Sequence, residues 1–181
     1  MFEITPKPHQ DERGFFMRTY DWNLFREACI PMRWVQENHA RSERKNIIRG
    51  LHFQFPPFSE TKLVRCVTGA IKDVFVDLRK GSSTFGQWDS IELSADNKKM
   101  ILIPRGFAHG YQTLTTVTDV LYKVDNFYSP EHEGGILWND TELNIDWDLE
   151  AGHIPCLSAK DTGNMKFVEF IERYKSIDNQ E

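Results

Sequence analysis

Between Ile47 and Tyr128 the chain is divided into short β-rich runs with no room for crossover helices, and this pattern excludes most architectures. The runs are NIIRGLHFQ, KLVRCV, AIKDVFVDL, WDSIEL, MILIP, GYQTL and DVLYKV. Turn chemistry separates them. Thr68-Gly69 joins two runs closely enough for a hairpin, while Lys80-Gly81-Ser82-Ser83 and Ala95-Asp96-Asn97 make polar loops. The expected fold is mainly β, an antiparallel sandwich or barrel. Helix is confined to the flanks: Asp21 can cap WNLFREA, and KFVEFIERY places Phe167, Phe170 and Ile171 at i, i+3 and i+4. With no internal repeat, low-complexity tract or linker, residues 1–181 are expected to form a single domain.

Composition narrows the function classes. Five Trp and thirteen Phe argue against disorder, and a formal net charge of −5 argues against a general nucleic-acid binder while leaving room for a local basic pocket. No apolar run approaches the roughly 20 residues that cross a bilayer, and the N-terminal MFEITPKPHQDERG lacks the apolar stretch of a secretory signal. The cytoplasm is the expected location, with no membrane partner. Cys29, Cys66 and Cys156 are odd in number and widely spaced, which reads as reduced packing residues.

Strand parity puts His52 on one face with Ile48 and Gly50, and Tyr122 with Val120 and Val124, as expected for polar groups lining a barrel interior. Arg49, His52 and Lys62 bring a guanidinium, an imidazole and an ammonium into one strand-loop-strand unit. Imidazole can take a proton at neutral pH and the cations can hold an anion, although a core histidine and a strand-end lysine fit the same pattern. Pro104-Arg105-Gly106-Phe107-Ala108-His109 resembles the second motif of the cupin superfamily. Metal-dependent cupins add a His-x-His and a Glu from the first motif, where this chain has only His52, followed by Phe53 and Gln54. A metal site is therefore not expected, and His109 reads as a hydrogen-bonding group of the pocket. Tyr122 could deliver a proton or fill a strand, and Asp161 could orient a histidine, cap a helix or occupy a turn.

The ordered set Asp11-Glu12-Arg13-Gly14-Phe15-Phe16, Arg49-Gly50-Leu51-His52-Phe53-Gln54, Lys62-Leu63-Val64, Val76-Asp77-Leu78-Arg79, Pro104 to Gly110, Leu121-Tyr122-Lys123, Tyr128-x-Pro130 and Trp138-Asn139-Asp140 resembles the dTDP-4-dehydrorhamnose 3,5-epimerase family over roughly residues 3–161. The resemblance implies a cupin double-stranded β-helix, or jelly-roll barrel, with short flanking helices. It also implies a homodimer that uses neither metal nor cofactor and whose N-terminal strand crosses to the partner. The implied reaction inverts C3 and C5 of a nucleotide-linked 4-keto-6-deoxyhexose in deoxysugar and cell-wall polysaccharide biosynthesis. By the same resemblance His52 is the base, oriented by Asp161, Lys62 stabilises the enolate at C4, and Tyr122 is the acid on the opposite face. Tyr128 is a pocket wall or second donor. Gln36, Asn38, Arg49 and Lys160 hold diphosphate or sugar, Arg13 and Phe15 hold the base, and Asp73 and His109 are further polar pocket positions. Arg13, Arg18, Arg49, Lys62 and Lys160 would make the pocket basic.

Four positions depart from the family pattern. Ala40 replaces a Ser, Glu60 stands near the usual Gln before Lys62, Lys160 replaces an Arg, and Arg18 replaces a Glu that contacts the base. Glu accepts hydrogen bonds whereas Arg only donates, and Arg pairs well with O6 and N7 of guanine, so GDP or CDP sugars are alternatives. Arg18 could equally point to solvent or pair with Glu12. About ten residues precede Asp11, so the leading strand is expected to be short and the dimer weaker. A C3-only epimerase is a close alternative. A non-catalytic sugar-binding cupin would lack one of His52, Lys62, Tyr122 or Asp161, and all are present. Competition binding separates the readings of Arg18: tight dTDP binding with no GDP or CDP binding removes the altered-base reading, and tighter GDP binding gives Arg18 the base-reading role.

Overall fold

The computed structural model describes residues 1–28, 30, 33–150, 152–175 and 177. Its strands are β1 (Phe2–Ile4), β2 (His9–Asp11), β3 (Gly14–Phe16), β4 (Gln36–Ser42), β5 (Ile48–Gln54), β6 (Lys62–Thr68), β7 (Ala70–Asp77), β8 (Trp88–Ser94), β9 (Met100–Ile103), β10 (Phe107–Thr113), β11 (Thr118–Val124) and β12 (Glu133–Gly135). Two five-stranded antiparallel sheets, ordered β1-β9-β6-β11-β4 and β12-β5-β10-β7-β8, form the jelly roll, and β2 and β3 make a separate hairpin. Among the described residues three α-helices flank them, α1 (Trp22–Glu27), α2 (Ala159–Thr162) and α3 (Phe167–Tyr174), with a 3-10 turn at Pro130–His132. Asp21 caps α1 by accepting from the N–H groups of Asn23 and Leu24, as its side chain allows.

The inner faces of both sheets supply one core. Val64, Ile101, Ile103 and Val120 from the first sheet meet Ile71, Phe75, Leu93 and Tyr111 from the second. The second sheet is covered on its outer face too. Ile48, Leu51, Phe53, Val74, Val76 and Ala108 pack there against Ile136, Leu143, Trp147, Phe167 and Phe170 from the C-terminal segment. Phe170 is fully buried, and burial of a side chain this size contributes about 2–3 kcal/mol. Phe167 joins it inside, whereas Ile171 stays 38% exposed.

Three expectations are corrected. Thr68-Gly69 closes no hairpin: β6 pairs with β9 and β11, while β7 pairs with β8 and β10. Gly69, at φ +71, carries the chain from one sheet to the other, and a Cβ there would lie 2.1 Å from Thr115 Oγ1.

The face-mates of His52 also differ. His109 pairs with His52 and Tyr111 with Arg49, so β5 advances three residues while β10 advances two. This extra residue reverses parity at Gly50-Leu51, placing Arg49 and His52 together inside while Ile48 and Leu51 face the outer core. Tyr122 does sit inside near Val120, as parity predicts.

The cysteines divide. Cys66 is buried, and burial pushes its thiol up to about 11, but Cys156 is exposed beside Ile47 and is no packing residue. Cys29 lies outside the described residues.

Gly50 has φ +118, and a Cβ would fall 2.6 Å from Gly110 Cα and 2.7 Å from His109 O. Gly50→Ala is expected to cost about 2–4 kcal/mol in urea unfolding, and a loss under about 0.5 kcal/mol would contradict the close strand approach. Burial pushes the Tyr111 phenol up to about 12. In the unfolded chain that phenol ionises near 10, so its contribution is intact below about pH 10 and is lost as pH rises towards 12. Tyr111→Phe should flatten that part of the alkaline stability loss in a pH series of melts.

Candidate active site

Two adjoining hollows of about 560 and 240 Å³ open between the sheets and share His52, Lys62, Tyr122, Tyr128 and Glu133. The folding that fills them starts with β5, where the extra residue aims Arg49 and His52 inward. His52 lies between His109 of β10 and Gly135 of β12 in the sheet. Its Nε2 is 2.6 Å from Asp161 Oδ1.

Asp161 sits in the first turn of α2, whose cap is Ser158. The Ser158 hydroxyl accepts from Asp161 N–H at 3.1 Å and donates to Asp161 Oδ2 at 2.7 Å, while Gly50 N–H donates to Oδ1 at 3.2 Å. Burial alone would push this carboxyl up, but the bonds from His52, Ser158 and Gly50 together hold it below the usual range. It is therefore an anion buried against an imidazole, able to fix one ring nitrogen and the orientation of the ring.

The first sheet forms the facing wall. Tyr122 on β11 pairs with Asn38 on β4 and Val64 on β6. Burial pushes its phenol up, Glu60 and Glu133 add to this, and Arg49 opposes it, so Tyr122 keeps its proton well into alkaline pH. Lys62 is only 9% exposed, and its Nζ lies 3.3 Å from Glu60 Oε1. Gln36 and Asn38 line the smaller hollow, and Gln36 Oε1 accepts from Tyr128 N–H at 2.8 Å.

Glu133 is a cavity group that the sequence offers no reason to single out, and Glu60, noted there only as a departure from the family pattern, also lines the cavity. Glu133 accepts from Tyr128 OH at 2.9 Å and pairs with Lys160 Nζ. Burial pushes the Glu133 carboxyl up, but those two partners bring it below the usual range. Its only sequence signal is its place at the start of a short strand after Tyr128-x-Pro130, which says nothing about the direction it faces.

Deeper in, His109 Nε2 is 2.9 Å from Asp73 Oδ2, both residues being buried. Arg49 lines the larger hollow and donates from Nη2 to Arg41 O at 3.2 Å. Among the described residues no group of three or more His, Cys, Asp and Glu side chains is arranged to hold a metal ion.

The remaining expected residues lie elsewhere in this chain. Arg13 pairs with Asp11 on the exposed β2–β3 hairpin, and Phe15 is 55% exposed with Lys98 Nζ 4.9 Å from its ring centre. Arg18 pairs with Asp21 at 3.1 Å rather than with Glu12, so it braces the cap of α1. Of the five cations expected to make the pocket basic, only Arg49, Lys62 and Lys160 line it. Three carboxylates, Asp161, Glu133 and Glu60, stand with them.

The family model described as dTDP-4-dehydrorhamnose 3,5-epimerase matches residues 1–169. A dTDP-4-dehydrorhamnose 3,5-epimerase of Shigella flexneri is 47% identical over 165 residues, covering 91% of this chain and 89% of that protein. The crystal structure of the Bacillus anthracis dTDP-4-dehydrorhamnose 3,5-epimerase, with TDP and PPi bound, superposes with a TM-score of 0.88 at 45% identity, covering 91% of this chain and 93% of that one. The Legionella pneumophila dTDP-6-deoxy-D-glucose-3,5-epimerase, in complex with dTDP-4-keto-L-rhamnose, gives 0.89 at 40% identity, covering 99% and 93%. With its fold, cavity and sequence agreeing on one assignment, the chain belongs to the dTDP-4-dehydrorhamnose 3,5-epimerase family.

Proposed function

We propose that this chain, acting as one domain, epimerises C3 and C5 of a dTDP-linked 4-keto-6-deoxyhexose. The observation that carries this is the opposition of His52 on one sheet, backed by Asp161 of α2, to Tyr122 and Lys62 on the other, across a shared cavity. Inverting a carbon beside a ketone needs a base on one face, an acid on the other, and positive charge at the developing enolate oxygen. His52 takes the proton from the carbon, and the C–H electron pair moves into the C–C bond while the carbonyl π electrons move to oxygen. Lys62 stabilises that oxygen. The pair then returns to the carbon as Tyr122 gives it a proton from the opposite face, leaving a phenolate beside a protonated His52, and solvent exchange resets both. The positive charge formed on His52 falls against Asp161, which lowers the cost of forming it in a partly dry site. Lys160, Arg49, Gln36 and Asn38 offer donors for diphosphate and sugar oxygens.

The Arg13–Phe15 hairpin lies outside the cavity of its own chain and fits a homodimer in which this segment completes the base site of a second copy. In a dTDP-4-keto-6-deoxyglucose assay in D2O, deuterium is expected at both C3 and C5, and NMR showing one exchanged position would favour the C3-only reaction. His52→Ala should lower exchange at both carbons by about 10²–10⁴-fold, whereas Tyr122→Phe should retain exchange and lose product inversion. Undiminished exchange in His52→Ala would sink the assignment of the base.

A further inference from the structure

Glu60 departs from the family pattern and also places a carboxylate inside the cavity. Its side chain is 14% exposed and is held from two strands. Oε1 is 3.3 Å from Lys62 Nζ on β6, and Oε2 accepts from Gln54 Nε2 on β5 at 3.4 Å. Gln54 is itself fixed: the two hydrogens of its Nε2 go chiefly to Phe58 O at 2.9 Å and Phe127 O at 3.1 Å, and its Oε1 accepts from Ser129 N–H at 2.6 Å, so its contact with Glu60 is the weaker of Glu60's two. The following residue is tied down as well, since Thr61 N–H donates to Asp125 Oδ1 at 2.6 Å. A carboxylate so anchored keeps its direction without the substrate's help.

We propose that Glu60 is a positioning residue for the reaction: held beside Gln54 and paired with Lys62, it fixes the Lys62 ammonium at the cavity wall. This rests on the epimerase reading above and deepens it. The ammonium carries three donors, and engaging one of them at Glu60 leaves the others for the enolate oxygen in a set direction. Each cavity cation that has a carboxylate partner keeps it close, Lys160 at Glu133 and Lys62 at Glu60, so neither is buried with its charge unmatched.

The charges around Tyr122 come from several elements. Glu60 and Lys62 stand on or beside β6, Arg49 and His52 on β5, and Glu133 on β12, while Asp73 of β7 and Tyr111 of β10 lie deeper. Gln36 and Asn38 of β4 are neutral. After burial, Glu60 has the largest influence on the Tyr122 phenol, and it opposes loss of the proton.

The test compares wild type, Glu60→Gln and Glu60→Asp by steady-state kinetics with dTDP-4-keto-6-deoxyglucose. Alongside, the protein carrying tyrosine labelled with ¹³C at Cζ is titrated by NMR, with Tyr122→Phe assigning the signal. Glu60→Gln is expected to lower kcat about tenfold with KM within about twofold, and to move the Tyr122 titration to lower pH by roughly half a unit or more. Glu60→Asp, which keeps the charge beside Lys62, should recover most of kcat. An unchanged kcat in Glu60→Gln, or a loss that appears in KM rather than in kcat, overturns the proposal. Should wild type itself turn over no dTDP sugar, the epimerase reading fails, whereas an active wild type with an equally active Glu60→Gln overturns only the role of Glu60.

Discussion

The Asp161 carboxylate is the point on which the site depends. It receives the Gly50 N–H and the Ser158 hydroxyl, and Nε2 of His52 lies against it, so one buried group ties the C-terminal segment to β5 and sets the imidazole. Gly50 takes part twice, since its amide meets Asp161 while its bare Cα allows β10 to approach. The same turn of chain carries Lys160 to Glu133, so α2 delivers both the partner of the proposed base and the cation proposed for the diphosphate. A helix of four residues has little stability of its own, and its position is maintained by these contacts and by the core beneath the second sheet.

Electrostatics in the cavity follow from burial. A lone ammonium or carboxylate in this setting would cost several kcal/mol, and most of the ionised groups there are accordingly paired. Lys62 has Glu60, Lys160 has Glu133 and His52 has Asp161. The expectation of a pocket defined by basic residues therefore gives way to a near-neutral one, in which two of the five cations belong to the N-terminal segment outside it. An overall charge of −5 is compatible with this, because selectivity for an anionic substrate comes from a few directed donors.

The β-rich runs between Ile47 and Tyr128 were legible because apolar residues recur along strands that bury one or both faces. Strand β4 was not, for a physical reason: at that end of the sandwich the inward face is the cavity wall, so Gln36 and Asn38 take the places where apolar residues would signal a strand. The strands β1, β2, β3 and β12 are three residues each, too short for any period to show. His52, Lys62, Tyr122 and Asp161 were picked out by likeness to a family and not by spacing, since Asp161 reaches Gly50 across 111 residues of chain. The inward turn of Arg49 was hidden as well. Parity reasoning assumes an unbroken strand, and one extra residue in β5 regroups every side chain beyond it.

The sandwich itself explains why this chemistry suits this fold. Inversion needs a base and an acid on opposite faces of one carbon, held far enough apart not to neutralise each other. A helix or single strand presents its side chains from one direction, whereas two facing sheets present them from two. His52 comes from the second sheet and Tyr122 from the first, so the gap between sheets becomes the gap between proton acceptor and donor. Where Val64, Phe75 and Val120 fill that gap it is core, and where Gln36, Asn38 and Glu133 line it, it is a site. The change from one to the other occurs along β11 within two residues, from buried Val120 to Tyr122.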